Sequence, residues 1–334
     1  NFSAPIILAI EQSEDELITL LKDDDDPFNR WEAAQKILIE NILSDKNLDQ
    51  KAIDAFATIL ADPDLDPAFK ELVGTLPAES YLYEQVSSID PSAIHSSRRR
   101  VREQLAKALS KQWHEIYEAC HEEKNYTPDA VSAGKRALKN LALSALFDAQ
   151  SDQASSLAVS QYEQANNMTD RYGALQVLVN FNQAQATEYL ADFHQRFKDD
   201  ALVIDKWFSL QAMRQHDPSG KHPVINDILH LRRHPDFNIK NPNRARSLIH
   251  AFCLSNPGAF HQAGQDGYKF WAQHVIELNA INPQVAARLA RGMDRWKQFA
   301  PSYQAQMKSA LESVNAEKNL SSDVSEIIHK ALNS

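Results

Sequence analysis

Apolar residues along this chain recur every three or four positions, the spacing that lays them along one face of an α-helix. Leu17, Leu20 and Leu21 follow the polar run Ser13-Glu14-Asp15-Glu16, which has the residue types of a capping box. The same pattern predicts helices over roughly 13–22, 28–43, 49–61, 67–73, 78–86, 91–119, 128–147, 151–165 and 169–180. It continues over roughly 183–197, 200–213, 222–231, 241–253, 257–261, 267–279, 282–290, 301–314 and 321–332. The breaks fall where a capping side chain precedes proline: Asp62-Pro63, Asp66-Pro67, Asp90-Pro91, Thr127-Pro128, Asp217-Pro218, Asn256-Pro257 and Asn282-Pro283. No alternating run of strand type competes with these segments.

Short helices joined by short loops, with no sustained heptad, imply an all-α fold: a superhelical array of antiparallel helix pairs, an α-solenoid of HEAT or armadillo type. Three helix starts look alike, at Asn29-Arg30-Trp31, Asp170-Arg171-Tyr172 and Asn243-Arg244-Ala245. Their separations share no common period, so the units are degenerate rather than a strict repeat. Composition agrees with helices. The chain has 334 residues, 43% of them hydrophobic and only 8 glycines, enough for a packed core and too few glycines for nucleotide-binding α/β sheets, propellers or barrels. One elongated domain or two subdomains both fit this length. The opening Asn1-Phe2-Ser3-Ala4-Pro5-Ile6 reads as extended. Residues 1–8 are therefore expected to be a short extended segment, and 9–334 the helical domain.

Net charge is −10, which leaves no cationic excess to neutralise phosphates, so nucleic acid is excluded as an expected partner. No stretch of 18 or more apolar residues and no leader-type opening occur, so no membrane insertion is expected and the expected location is cytoplasmic. Cys120 and Cys253 have no nearby second cysteine and read as buried free thiols. The run Asp23-Asp24-Asp25-Asp26 lacks the spacing and glycine of a calcium loop and reads as a solvated turn. Arg98-Arg99-Arg100 with Arg102 would spread round a helix and serve surface ion pairs.

No self-sufficient catalytic motif is present. His230 and His234 have the separation of a zinc-binding pair, but Leu231 stands where the general base of an HExxH motif belongs, and Pro235 turns the chain out of helix at His234. His114-Glu115 and His121-Glu122 around Cys120 offer a weaker grouping of nitrogen and sulfur ligands. No metal site is assigned to this chain.

Several stretches are specific as sequence: Asn166-Asn-Met-Thr-Asp170, Asp205-Lys-Trp-Phe208, NPNRARSLIHAF at 241–252, Ser255-Asn-Pro-Gly-Ala-Phe-His261, Gly267-Tyr268, Asn279, NPQVAARL at 282–289 and Asn319-Leu-Ser-Ser-Asp323. Together they resemble the C-terminal domain of bacterial aminopeptidase N, a family of zinc-dependent alanyl aminopeptidases of the gluzincin type. The likeness covers essentially the whole chain, strongest over 166–289 and looser over 45–165. Residues 1–6 are similar to the junction that follows the family's small β-sandwich domain.

The resemblance implies a noncatalytic helical domain whose concave side closes over a catalytic domain, enclosing the chamber in which N-terminal residues are removed from peptides. Zinc and its ligands would belong to that other part of a longer parent chain, so no cofactor is expected in this segment, and peptides would be met through the parent. Gln284 and Arg288, four apart after the Asn282-Pro283 start, share one helix face. The family places a Gln and an Arg at the matching positions on the chamber wall. An intradomain ion pair is the competing expectation for Arg288. Asn241, Asn243, Arg244 and Arg246 form a second candidate group: Asn243 to cap a helix, Arg244 to tie elements together, and Asn241 and above all Arg246 to line the chamber. Trp207, Phe208, Phe260 and His261 read as packing residues. The competing functional class is a free-standing helical scaffold that binds a protein partner on its concave face.

Overall fold

The computed structural model describes residues 12–121, 126–215, 222–262 and 264–333. The extended segment expected over residues 1–8, the Asp217-Pro218 break and Glu122 lie outside them. Among the described residues every regular element is a helix, and extended backbone pairs at one isolated parallel bridge, Ile89 with Phe299. The expected all-α class of stacked helix pairs is the fold that forms.

The caps explain where helices start. Ser13 and Glu16 complete the capping box of Glu14–Asp23, each satisfying a backbone N–H of the other's residue. Asp26, Asp49, Asp66, Asp129, Asn167 and Asp200 accept first-turn N–H groups in the same way. Two Pro-based boundaries read differently in three dimensions. Asp62 closes the helix Gln50–Ala61 instead of opening one. The start expected at Thr127-Pro128 is delayed to Ala130, because the Asp129 carboxylate reaches Ser132 N–H.

Two compact units emerge, one of residues 1–77 and 97–154, the other of 78–96 and 155–334. In the first, Glu14–Asp23 packs on Pro27–Leu43, and both Pro67–Gly74 and Ser110–Ala119 pack on Ala130–Asp148. Leu21, Ile37, Leu38, Phe56 and Trp113 fill its core. Gly74 packs closely there: a Cβ would sit 2.9 Å from the end of the Leu141 side chain and 3.3 Å from Trp113, so these side chains would have to shift. The arginine run of this unit is consumed by local partners. Arg98 donates to Leu76 and Pro77 carbonyls, Arg99 pairs with Glu103, Arg100 with Asp45, and Arg102 reaches the buried Asp148 at 2.9 Å.

In the second unit, Gln265–Ile281 packs on Pro283–Ala290 and on Pro301–Asn315, and Ser322–Asn333 closes against Pro283–Ala290. Phe208, Phe252, Phe260, Tyr268 and Trp271 are buried in it, and Trp271 Nε1–H donates to Leu289 O at 2.9 Å. Residues 78–96 join this unit through Ile89, whose N–H and C=O bond Gln298 O and Ala300 N. Ser92 hydroxyl meets Tyr303 hydroxyl at 2.5 Å.

The three similar helix starts share a physical duty. Arg30 donates to Leu21 and Lys22 carbonyls, Arg171 to Tyr162 and Ala165, and Arg244 to Asp236 and Ala201. The guanidiniums of Arg30 and Arg171 thus satisfy carbonyls near the C-terminal end of an earlier helix, and that of Arg244 reaches a turn carbonyl and the first residue of the helix Ala201–Ala212. Cys120 and Cys253 are buried and are not disulfide-bonded, and burial raises the Cys253 thiol well above its usual pKa.

Candidate functional site

The helix Pro283–Ala290 begins at Asn282, whose side chain accepts Val285 N–H at 3.2 Å, with Pro283 at its first position. Its apolar residues Val285, Ala286, Leu289 and Ala290 are buried. Gln284 and Arg288 therefore stand exposed one turn apart on the opposite face. With Arg291 and Asp294, and with Asp323 and Glu326 of the neighbouring helix Ser322–Asn333, they line a cleft of about 690 Å³. Among the described residues Arg288 forms no ion pair and no side-chain hydrogen bond, so the intradomain pairing that competed for it does not form there.

The second group lies on an element with an unexpected shape. A continuous helix is expected over 241–253, yet the backbone runs as Pro242–Ala245, a π-helical turn Arg246–His250, then Ala251–Ser255. The wider turn leaves Arg246 exposed while Ser247, Leu248, Ile249 and His250 are all buried. Such single π-turns within α-helices recur at functional sites. Arg246 donates through Nη1 to Asn243 Oδ1 at 3.5 Å, the outer limit for such a bond.

Asn241, not Asn243, is the cap of this segment: its side-chain oxygen accepts Asn243 and Arg244 N–H at 3.0 and 3.4 Å. Asn241 and Arg246 both lie outside the residues that line the cleft, which among the expected site residues takes in Gln284 and Arg288. Arg244 is buried and tied to the Asp205 carboxylate at 2.5 Å, its plane over the Phe208 ring. That is the bracing role expected of it. Trp207, Phe208, Phe260 and His261 are buried packing residues, as their setting in sequence suggested.

His250 is the member that sequence reasoning missed. It is 7% exposed, and its Nε2 is buried with no hydrogen-bond partner among the described residues. Burial first, then the positive charges of Arg246 and Arg288, push its pKa down to about 4. The imidazole is therefore neutral at physiological pH. Both arginines act on this one ring, so Arg246 and Arg288 belong to one cationic locus around it. The signal was available in part: His250 stands four residues after Arg246, one helical turn on.

This locus offers guanidinium N–H donors that no carboxylate of the cleft neutralises through Arg288, beside a ring that stays uncharged. It suits a carbonyl oxygen or a carboxylate. Among the described residues His230 belongs to no three-ligand cluster. His230 is exposed at the end of Val224–Leu231, and His234 lies in the turn beyond it. Among the described residues His114, Cys120 and His121 take part in no three-ligand cluster.

A family model described as a domain of unknown function (DUF3458_C) with ARM repeats matches residues 14–333. Aminopeptidase N of Caulobacter vibrioides is 33% identical over 338 residues, which cover 99% of this chain and 39% of that protein. Aminopeptidase N of Escherichia coli is 35% identical over 341 residues, covering 99% and 38%. Among solved structures, aminopeptidase A of Legionella pneumophila in complex with aspartic acid superposes with a TM-score of 0.89 at 28% identity, covering 99% of this chain and 40% of that one. The chain spans about two fifths of the length of these relatives. It belongs to the DUF3458_C ARM-repeat family, the C-terminal helical domain of aminopeptidase N.

Proposed function

We propose that this chain is the noncatalytic helical part of a cytoplasmic zinc metallo-aminopeptidase, and that it walls the distal side of the chamber in which peptides lose their N-terminal residues. Gln284, Arg288 and Arg246 face the peptide in this reading. Asn241 fixes the start of the segment that carries Arg246. The observation that carries the proposal is the cationic locus itself, with an Arg288 that no anion among the described residues pairs with and a second arginine acting on the same buried neutral ring.

A guanidinium with no ion pair among the described residues is available to a peptide carbonyl or terminal carboxylate, a charge-assisted bond of about 1.5–3 kcal/mol. His250, kept neutral, adds no further positive charge to that locus at pH 7 and fills the space behind it. The family's zinc requires an HExxH pair, which this sequence does not contain. Zinc and water activation are therefore assigned to the remainder of the parent polypeptide, and no step of hydrolysis is given to these residues.

In the whole polypeptide, Arg288→Ala should lower kcat/KM for a tripeptide by about tenfold to 100-fold, the equivalent of one such bond, while a small chromogenic amide loses little. Equal losses for both substrates would remove Arg288 from the peptide path. Full activity on tripeptides in the variant would do the same and leave the scaffold reading in its place.

A further inference from the structure

Three side chains that no sequence spacing groups together, His194, His234 and Asp236, each present a ligand atom within 4.8 Å of the others. His194 Nε2 lies 2.6 Å from Asp236 Oδ2, and His234 Nδ1 lies 3.8 Å from the same oxygen. Backbone and packing hold all three in place. His194 is carried by the helix Ala186–Phe197. His234 stands in the turn after Val224–Leu231, where its N–H bonds Leu231 O and its carbonyl accepts Phe237 N–H.

Aromatic packing restrains both imidazoles. The Trp207 ring centre is 5.1 Å from that of His194 and 5.2 Å from that of His234, and Phe208 stands 5.7 Å from His234 on another side. Trp207 is itself pinned, donating Nε1–H to Leu190 O at 2.9 Å. Little side-chain freedom remains to be lost when a third body binds.

A tetrahedral zinc with bonds of about 2.0–2.2 Å keeps its ligand atoms about 3.3 Å apart. The 2.6 Å contact would open and the 3.8 Å contact would close, each by less than about 1 Å, and Asp236 is exposed enough to swing. His234 Nδ1 now accepts only a 3.2 Å bond from Asp236 N–H, which a metal would replace. The nearby Arg244 is already matched by Asp205, so its charge is largely offset. One carboxylate and two imidazoles form a donor set favoured by Zn²⁺, Cu²⁺ and Ni²⁺.

We propose that His194 Nε2, His234 Nδ1 and Asp236 Oδ2 bind one zinc-class divalent cation, with water completing the coordination, and that the ion fastens the helix Ala186–Phe197 to the turn at 232–237. Spacing alone assigns no metal ligands to this chain, because it offers His230 as the partner of His234. The fold supplies His194 instead.

The test uses the whole polypeptide that carries this chain, stripped with a chelator, reloaded with zinc alone and freed of excess metal. Bound zinc is compared between the wild type and the variants His194→Gln and Asp236→Asn. The wild type should retain one equivalent more than either variant, with the variants weakened at least about tenfold at that site. Taking the difference cancels every other zinc site in the molecule. Zinc should also raise the melting temperature of the wild type more than that of the variants. Asp236→Asn keeps the packing and a hydrogen bond to His194, so it reads the metal even if His194→Gln folds poorly. Equal zinc content and equal thermal shifts in the wild type and Asp236→Asn would overturn the proposal.

Discussion

Protonating His250 should loosen the site from within, and the size of the effect follows from its surroundings. The ring titrates near 4 in the folded chain against about 6.5 in an unfolded one, a difference worth about 3 kcal/mol. Because the folded pKa is the lower one, the unfolded chain binds more protons between these values. Stability is intact above about pH 6.5 and is lost progressively as pH falls toward 4. His261, pushed by burial down to about 3, contributes in an overlapping window, so the quantity to read is the difference between the wild type and His250→Met.

Hydrogen exchange of the amides in 246–250 and 283–290, followed from pH 7 to pH 4.5, reports this local opening. The wild type should lose up to about 3 kcal/mol of protection beyond the loss seen in His250→Met. Arg288→Gln should raise the ring's pKa but leave it below that of a free histidine, because burial is the larger cause. A ring that titrates at 6 or above in the wild type, or protection curves that coincide for the wild type and His250→Met, would refute the reasoning.

Two further outcomes concern the scaffold. Asp148 is buried, its pKa raised to about 6 by burial against the opposing pull of Arg102. Arg102→Ala should cost about 3 kcal/mol at pH 7.5 and less at pH 5, where the stranded carboxylate can take up a proton; a denaturant midpoint shift independent of pH would contradict this. At Gly258 a Cβ would stand 2.4 Å from the His95 ring, which Glu79 holds at 2.7 Å. Gly258→Ala should therefore lower stability by about 1–3 kcal/mol, and an unchanged melting temperature would show that His95 moves aside freely.

What the sequence made legible was local. The Asx-Pro steps at Asp66, Asp90, Asn256 and Asn282 mark real helix starts, because a capping oxygen and a proline satisfy the same first turn wherever the helix packs. The break between Pro91–Ala108 and Ser110–Ala119 was not legible. Leu109 carries no breaker chemistry, and the ladder continues through it, with Leu109 N–H on Leu105 O and Trp113 N–H on Leu109 O. The short 3₁₀ turns at Arg291–Met293 and Trp296–Gln298 answer to long-range demands, such as Trp296 Nε1–H reaching Ala331 O at 2.7 Å. The entry of residues 78–96 into the second unit is of the same kind, set by partners near residue 300.

The candidate site divides the same way. Gln284 and Arg288 could be placed on one exposed face from spacing alone, because their helix is regular. Arg246 and His250 could not be oriented, because the π-turn that exposes one and buries the other is imposed by packing of four consecutive buried residues. Sequence points to Asn243 as the cap, whereas the helix starts two residues earlier, with the Asn241 side chain accepting Asn243 and Arg244 N–H. His194 and His234 meet only because two elements are folded together.

The central claim is that Arg246, Gln284 and Arg288, carried by the segments 246–250 and 283–290, face the peptide inside an aminopeptidase chamber. A tripeptide inhibitor with a photoreactive group at its C-terminal end, crosslinked to the whole polypeptide and mapped by mass spectrometry, tests it most directly. The account predicts label on those two segments, diminished in Arg288→Ala and competed away by free tripeptide. Competable label confined to residues outside 155–334, with none on either segment, would contradict it.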